Sequence, residues 1–284
     1  MLTTSKNIVK KAYEGGYAIP AINTQGGNYD IIMAICKAAE TKKSPIILAH
    51  YEITGQYSGH DWFAEVARWC ASKVSIPVAI HLDHGSSFDL CVKCLKYGFT
   101  SIMYDGSLLP LEENAIRTNE IIKTCHAYGV PVEAEIGRLT QLNSGQLDSS
   151  GNSAVSFSEI QQYLSLCEPD FLAVGIGNAH GFYKTKPNIK VNILKKYKED
   201  YNIPLVLHGC TDMDVATVKK AISYGVAKIN FGTIIRYKYL DLFKKGYDEI
   251  DHQGHSFKIS HYASKELEKV IESIIDLSGS VGKA

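Results

Sequence analysis

The chain has 284 residues, with 30 Lys+Arg against 30 Asp+Glu, 45% hydrophobic residues and 21% charged ones. This is ordinary globular composition with no basic field, which argues against nucleic acid or an anionic membrane as partner and leaves a small molecule as the default. The length sits slightly above a typical (β/α)8 barrel and also admits two smaller domains; either way it can bury a core without disulfide or metal staples.

The segment MLTTSKNIVKKAYEGGYAIPAI lacks the apolar stretch and small-residue cleavage site of a signal peptide. A run of ~18 apolar residues, enough to span a bilayer, is absent from the sequence. Seven scattered cysteines, an odd number, point to a reducing compartment, and the cytoplasm is the expected location. Cys91 and Cys94 form a lone CxxC inside a helical stretch, and without a second pair they read as ordinary helix residues.

Strand candidates follow one another at 17–22 (YAIPAI), 45–50 (PIILAH), 77–82 (PVAIHL), 100–104 (TSIMY), 131–136 (PVEAEI), 171–176 (FLAVGI), 204–209 (PLVLHG) and 227–232 (AKINFG). Their nearly continuous apolar character fits strands covered on both faces. Helical spacing fills the intervals, as in NYDIIMAICKAAETKK and EENAIRTNEIIKTCHAYG, and glycine marks helix stops in KYGFTS, AYGVPV and SYGVAK. Eight alternating units predict an α/β fold, a single (β/α)8 barrel over residues 1–284 with extra C-terminal helices that include SKELEKVIESIIDLS. A doubly wound open sheet is the alternative. The long non-periodic segment 138–155 reads as a functional or disordered loop.

Chemistry in such a barrel gathers at the carboxyl ends of the strands. Asn23, His50, Asp83, His84, Asp105, Glu133, Glu135, Asn178, His180, His208 and Asn230 all fall at or near those ends. A histidine at a strand end serves equally well as a hydrogen-bonded structural residue, and His50 and His81 fit that role. His84, His180 and His208 come from separate strands, and three such imidazoles with an open fourth position form the pattern of catalytic zinc. Asp105 and Glu135 stand ready to orient them.

The strings HLDHG (81–85), MYDGS (103–107), VEAEIG (132–137), GNAHGFYK (177–184), LHG (207–209) and KINFGT (228–233) resemble, in order and interval, the class II ketose-bisphosphate aldolases. The resemblance runs from YAIPAIN to about Arg236. It implies that His84, His180 and His208 hold a catalytic Zn2+, with Asp105 and Glu135 behind or beside it. It makes Asp83 the carboxylate that takes the C4 hydroxyl proton, and Asn230 a contact to the ketose. Gly181, Gly209, Thr211, Gly232 and Thr233 match the C1-phosphate site, where a monovalent cation (Na+ or K+) often binds, and Lys184 matches a lysine on the same phosphate. Arg236 matches an arginine that reaches a neighbouring subunit, which implies a homodimer or homotetramer. Asn23 and His50 are expected on the substrate.

Three departures bear on the substrate. Cys210-Thr211-Asp212 stands where the family has Gly/Ala-Ser-Gly, and Asp212 either repels a phosphate or caps the following helix. Gly232 resembles the tagatose-type enzymes, while Lys184 and Arg236 resemble the fructose type. The 138–155 loop lacks the usual Gly-Gly-x-Glu-Asp string, leaving Asp148 as its only acid for C3 proton exchange. With bulky His50 and Tyr51 ending strand two, a sulfofructose phosphate joins the substrate candidates. The expected reaction is reversible aldol cleavage of a ketose 1-phosphate or 1,6-bisphosphate to dihydroxyacetone phosphate and an aldehyde. A non-catalytic aldolase support subunit and a sugar-phosphate sensor are the rivals.

Overall fold

Eight parallel strands close into a barrel in the computed structural model, which describes residues 1–137, 140–141, 154–183 and 189–284. The chain runs α1 (Ser5–Gly15), β1 (Ile19–Asn23), α2 (Tyr29–Thr41), β2 (Ile46–Tyr51), α3 (Glu52–Ser58), α4 (His60–Ala71), β3 (Val78–Gly85), α5 (Phe88–Lys96), β4 (Ser101–Tyr104), α6 (Leu111–Ala127) and β5 (Val132–Ile136). It continues with β6 (Thr140–Gln141), α7 (Phe157–Leu166), β7 (Phe171–Val174), β8 (Ala179–His180), α8 (Asn192–Asp200), β9 (Leu205–Leu207), α9 (Val215–Ser223), β10 (Val226–Phe231), α10 (Thr233–Glu249) and α11 (Ser256–Ser278). Around the barrel the order is β1-β10-β9-β7-β5-β4-β3-β2. Each of the eight strands expected from the sequence is one of these, and the open-sheet alternative is set aside.

Alternation along the strands divides the apolar residues into two layers. Ile47, Ala79, Ala173, Val206 and Ala227 point into the barrel. Their neighbours Leu48, Ile80, Leu172, Leu205 and Val226 pack outward against the helices. The helices present apolar stripes to that outer layer. In α2, Ile31, Ile32, Ile35, Ala38 and Ala39 are buried, and Asn28 caps the start by accepting from Ile31 N. Ser156 and Glu159 form a capping box at α7. The three glycines read as helix stops, Gly98, Gly129 and Gly225, all have positive φ, at 83°, 69° and 97°.

One element has no counterpart in the sequence reading. Helix α1 inserts Ile8, Val9 and Ala12 into the inner cluster and closes the amino-terminal end of the barrel. The opposite end is left for polar residues. The expected C-terminal helices are α10 and α11, and α11 packs against α2 and α10. Cys91 and Cys94 lie buried on α5, and all seven cysteines are unpaired and buried. Among the described residues no helix is long and apolar enough to cross a membrane.

Candidate active site

On β3 the inward positions are Ala79, His81 and Asp83, so regular alternation would turn His84 away from the barrel axis. His84 instead adopts φ 54°, and the β3–β4 register shifts between Leu82 and Gly85. A left-handed conformation at a non-glycine residue is locally strained and tends to mark functional positions. It places Asp83 and His84 side by side at the mouth.

His180 arrives by another route. It ends β8, which lies outside the barrel and pairs with β6 through Thr140↔Ala179 and Gln141↔His180. His208 follows β9. The ring centroids of His84 lie 5.0 Å from His180 and 4.7 Å from His208, and His180 and His208 are 5.9 Å apart. One ring nitrogen from each lies within 4.8 Å of the others. Among the described residues, each histidine also keeps a buried ring nitrogen without a partner: Nε2 of His84, Nε2 of His180 and Nδ1 of His208. Such atoms are costly unless something binds them. Three converging imidazole nitrogens, once each ring is neutral, are the donor set zinc takes, so the residues present fit the ion their family pattern implies.

The opposite nitrogens are held. His84 Nδ1 lies 2.7 Å from Asp105 Oδ2, while Asp105 Oδ1 accepts from Ser107 N at 3.1 Å and Ser107 Oγ at 2.6 Å. Glu135 Oε2 stands 3.6 Å from the same His84 nitrogen. His208 Nε2 is 2.9 Å from Glu133 Oε1. Burial alone would depress the His84 imidazole; hydrogen bonding to Asp105 and the charges of Asp83, Glu135 and Asp105 outweigh it and raise it to about 10. Burial and the neighbouring His84 charge lower His180 to about 4, and the same two causes hold His208 well below the usual imidazole range. Burial, then the Asp105 charge, lift Glu135 well above the usual carboxylate range.

Asp83 is nearly buried and accepts Asn230 Nδ2 on Oδ1 at 3.0 Å; among the described residues its Oδ2 takes no hydrogen bond. Gly209 has φ 71°, and a Cβ there would run into the carbonyl of Ala179, so the turn after His208 requires glycine. Thr211 Oγ1 accepts from Ile234 N at 3.2 Å, which joins the turn after β9 to α10. Gly181 has φ 112°. Gly232 faces the Asn23 side chain, whose Oδ1 accepts from Gln25 N and Nε2. Thr233 starts α10, and exposed Arg236 lies one turn in, over the Tyr237 ring.

Two expectations need correction. His50, expected on the substrate, is an outward position of β2: fully buried, it stacks on Phe63 at 4.1 Å and meets His60 edge-on at 5.1 Å. Inward Tyr51 is the β2 residue at the mouth, edge-on to His84 at 6.0 Å. Asp212 does not cap the following helix, because Asp214 does, accepting from Thr217 N at 2.9 Å. Asp212 instead accepts from Tyr183 N at 3.0 Å. Asp148 and Lys184 lie outside the described residues. Fully buried Lys228, paired with Glu133, went unread, since a lysine in a strand carries no signal of facing inward.

Residues 3–283 match the sequence model of the family described as fructose-bisphosphate aldolase class-II. A probable fructose-bisphosphate aldolase of Bacillus subtilis (strain 168) is 39% identical over 240 residues, covering 82% of this chain and 81% of that one. The D-tagatose-1,6-bisphosphate aldolase subunit GatY of Klebsiella oxytoca is 30% identical, covering 99% of each chain. Among solved structures, the YdjI aldolase from Escherichia coli K12 superposes with a TM-score of 0.85 at 28% identity, covering 100% of both chains.

Proposed function

The chain belongs to the class-II fructose-bisphosphate aldolase family, and from that premise we propose reversible cleavage of a ketose 1,6-bisphosphate of the fructose or tagatose type to dihydroxyacetone phosphate and an aldehyde. The observation that carries this reading is the meeting of His84, His180 and His208, each with one bare ring nitrogen, beside Asp83 at the barrel mouth.

His84, His180 and His208 would hold Zn2+, with Asp105 and Glu135 beside it. When bound, that ion supplies Lewis-acid polarisation of the substrate's C2 carbonyl. Asp83 takes the proton of the C4 hydroxyl as the C3–C4 bond breaks. The electron pair of that bond stays with C3, C4 becomes the aldehyde carbon, and in the reverse direction Asp83 returns the proton. Asn230 fixes Asp83 through Oδ1 and leaves Oδ2 for this transfer. Gly181, Gly209, Thr211, Gly232 and Thr233 gather backbone and hydroxyl donors for the C1 phosphate and a monovalent cation. Lys184 is assigned to the same phosphate and Asp148 to the C3 proton by resemblance. Arg236 is assigned to the far anion of a substrate in the neighbouring subunit of a homo-oligomer.

The closed barrel and the return of α11 onto α2 support one domain over 1–284. Seven unpaired cysteines support a cytoplasmic setting. Tyr51 at the mouth favours screening altered aldehyde halves as well. The test is a retro-aldol screen over fructose, tagatose and sulfofructose phosphates, with and without chelator. Chelator-sensitive release of dihydroxyacetone phosphate is expected, and a zinc-loaded protein that cleaves none of them would turn the reading toward a sensor.

A further inference from the structure

The barrel interior holds a buried charge pair that the reaction does not use. Lys228 is fully buried on β10, and the β10–β9 register shifts between Val226 and Lys228, where the strand turns it inward. Lysine is almost never buried unless it is paired. Its Nζ lies 2.8 Å from Oε2 of Glu133, which is also fully buried. Glu133 Oε1 is 2.9 Å from His208 Nε2. From the barrel floor, His81 Nε2 approaches Oε2 at 3.7 Å, and His81 Nδ1 is 2.7 Å from Ser101 Oγ. Ser5, the first residue of α1, donates its hydroxyl to Ser101 at 2.7 Å.

One arrangement of the hydrogens joins the contacts along this line. Ser101 receives the Ser5 hydrogen, so its own is free for His81 Nδ1, which accepts. His81 then carries its hydrogen on Nε2, toward Glu133. An ionised carboxylate has none to give, so His208 Nε2 must be the donor to it. That leaves the His208 lone pair on Nδ1, the nitrogen without a partner. An ionised Glu133 alone in this dry interior would be costly, and Lys228 provides the balancing charge.

We infer that Lys228 and Glu133 are positioning residues for the metal centre: together they lock His208 as the Nε2–H tautomer with Nδ1 aimed at the ion. The inference rests on His208 being a metal ligand. Neither residue lies at the barrel mouth, so both act through the imidazole. Histidine partners of this kind typically change metal affinity about 10–100-fold.

The test combines 15N-histidine NMR of the metal-free protein with zinc affinity measured against a chromophoric chelator. Wild type should show the His208 hydrogen on Nε2, and Lys228→Met should bind zinc about 10–100-fold more weakly. Because that variant leaves Glu133 unbalanced and can fail to fold, two double variants keep the test decisive. Lys228→Met with Glu133→Leu removes both charges and the acceptor, and should lose the tautomer and the affinity. Lys228→Met with Glu133→Gln retains an acceptor for His208 and should recover much of both. Equal zinc affinity in the two folded double variants, or wild-type affinity in the leucine one, overturns the inference. Wild-type protein that binds no zinc overturns the metal reading beneath it as well.

Discussion

The side-chain amide of Asn230 on β10 reaches Asp83 on β3 at 3.0 Å, past the ends of the two strands between them. This bond fixes the carboxylate to which the proposed reaction assigns uptake and return of the C4 proton. Asp83→Ala should therefore lower kcat by about a hundred- to ten-thousand-fold, the range of general acid–base catalysis. Bound zinc should stay at the wild-type level, as read by metal analysis. Asn230→Ala should slow turnover less, because Asp83 stays in place but is no longer aimed. Loss of zinc in Asp83→Ala would make Asp83 part of the metal site instead.

Gly209 follows His208 in a left-handed turn, and a side chain there meets the carbonyl of Ala179, next to His180. Gly209→Ala should thus disturb two of the three converging histidines at once. The expected result is a folded barrel by circular dichroism with weakened zinc binding and a raised KM. An alanine variant with wild-type zinc affinity and KM would contradict the tight packing of this turn.

Asp170 gives the stability a defined acid limb. Burial alone would raise its carboxyl, but Lys6 at 2.8 Å, His126 at 2.7 Å and the Val132 amide at 2.8 Å outweigh burial and lower it. A carboxyl lowered in the folded state stabilises above its unfolded value, and that contribution disappears as pH falls through the folded value. Asp170→Asn should cost about 1–3 kcal/mol near neutral pH, and the gap to wild type should close in acid. Urea denaturation across the acid range checks both.

His50 is neutral in the folded protein, lowered to about 3 by burial and then by His60. Among the described residues, neither ring nitrogen has a hydrogen-bond partner. A buried neutral histidine destabilises the fold as pH falls below the unfolded value of about 6.5 and ceases to do so only near its folded value. His50→Leu should keep neutral-pH stability or raise it by about 1 kcal/mol, and should soften the loss between those two pH values. KM should not change, because the ring faces Phe63 rather than the mouth; a raised KM would return His50 to the substrate.

The barrel itself was legible because strands covered on both faces are apolar throughout, and each of the eight stood out from the amphipathic helices around it. The convergence of His84, His180 and His208 beside Asp83 was legible from motif order and strand ends. What escaped depends on direction rather than residue type. Counting alternation from Ile47 would have turned His50 outward and Tyr51 inward. The positive φ at His84 reverses that parity, and no sequence signal announces it. Helix α1 carries an amphipathic stripe like any other, so nothing in its sequence said that the stripe plugs a barrel. Asp212 and Asp214 flank one helix start, and only the geometry shows which one caps it.

His84, His180 and His208 are proposed to form a zinc centre that drives aldol cleavage. Retro-aldol rate and zinc content, measured for wild type and His208→Ala before and after chelation, test it most directly. The account predicts zinc-bound wild type whose activity vanishes with chelator and returns with added Zn2+, and a folded His208→Ala protein with neither zinc nor activity. Undiminished, chelator-insensitive cleavage by His208→Ala would contradict it.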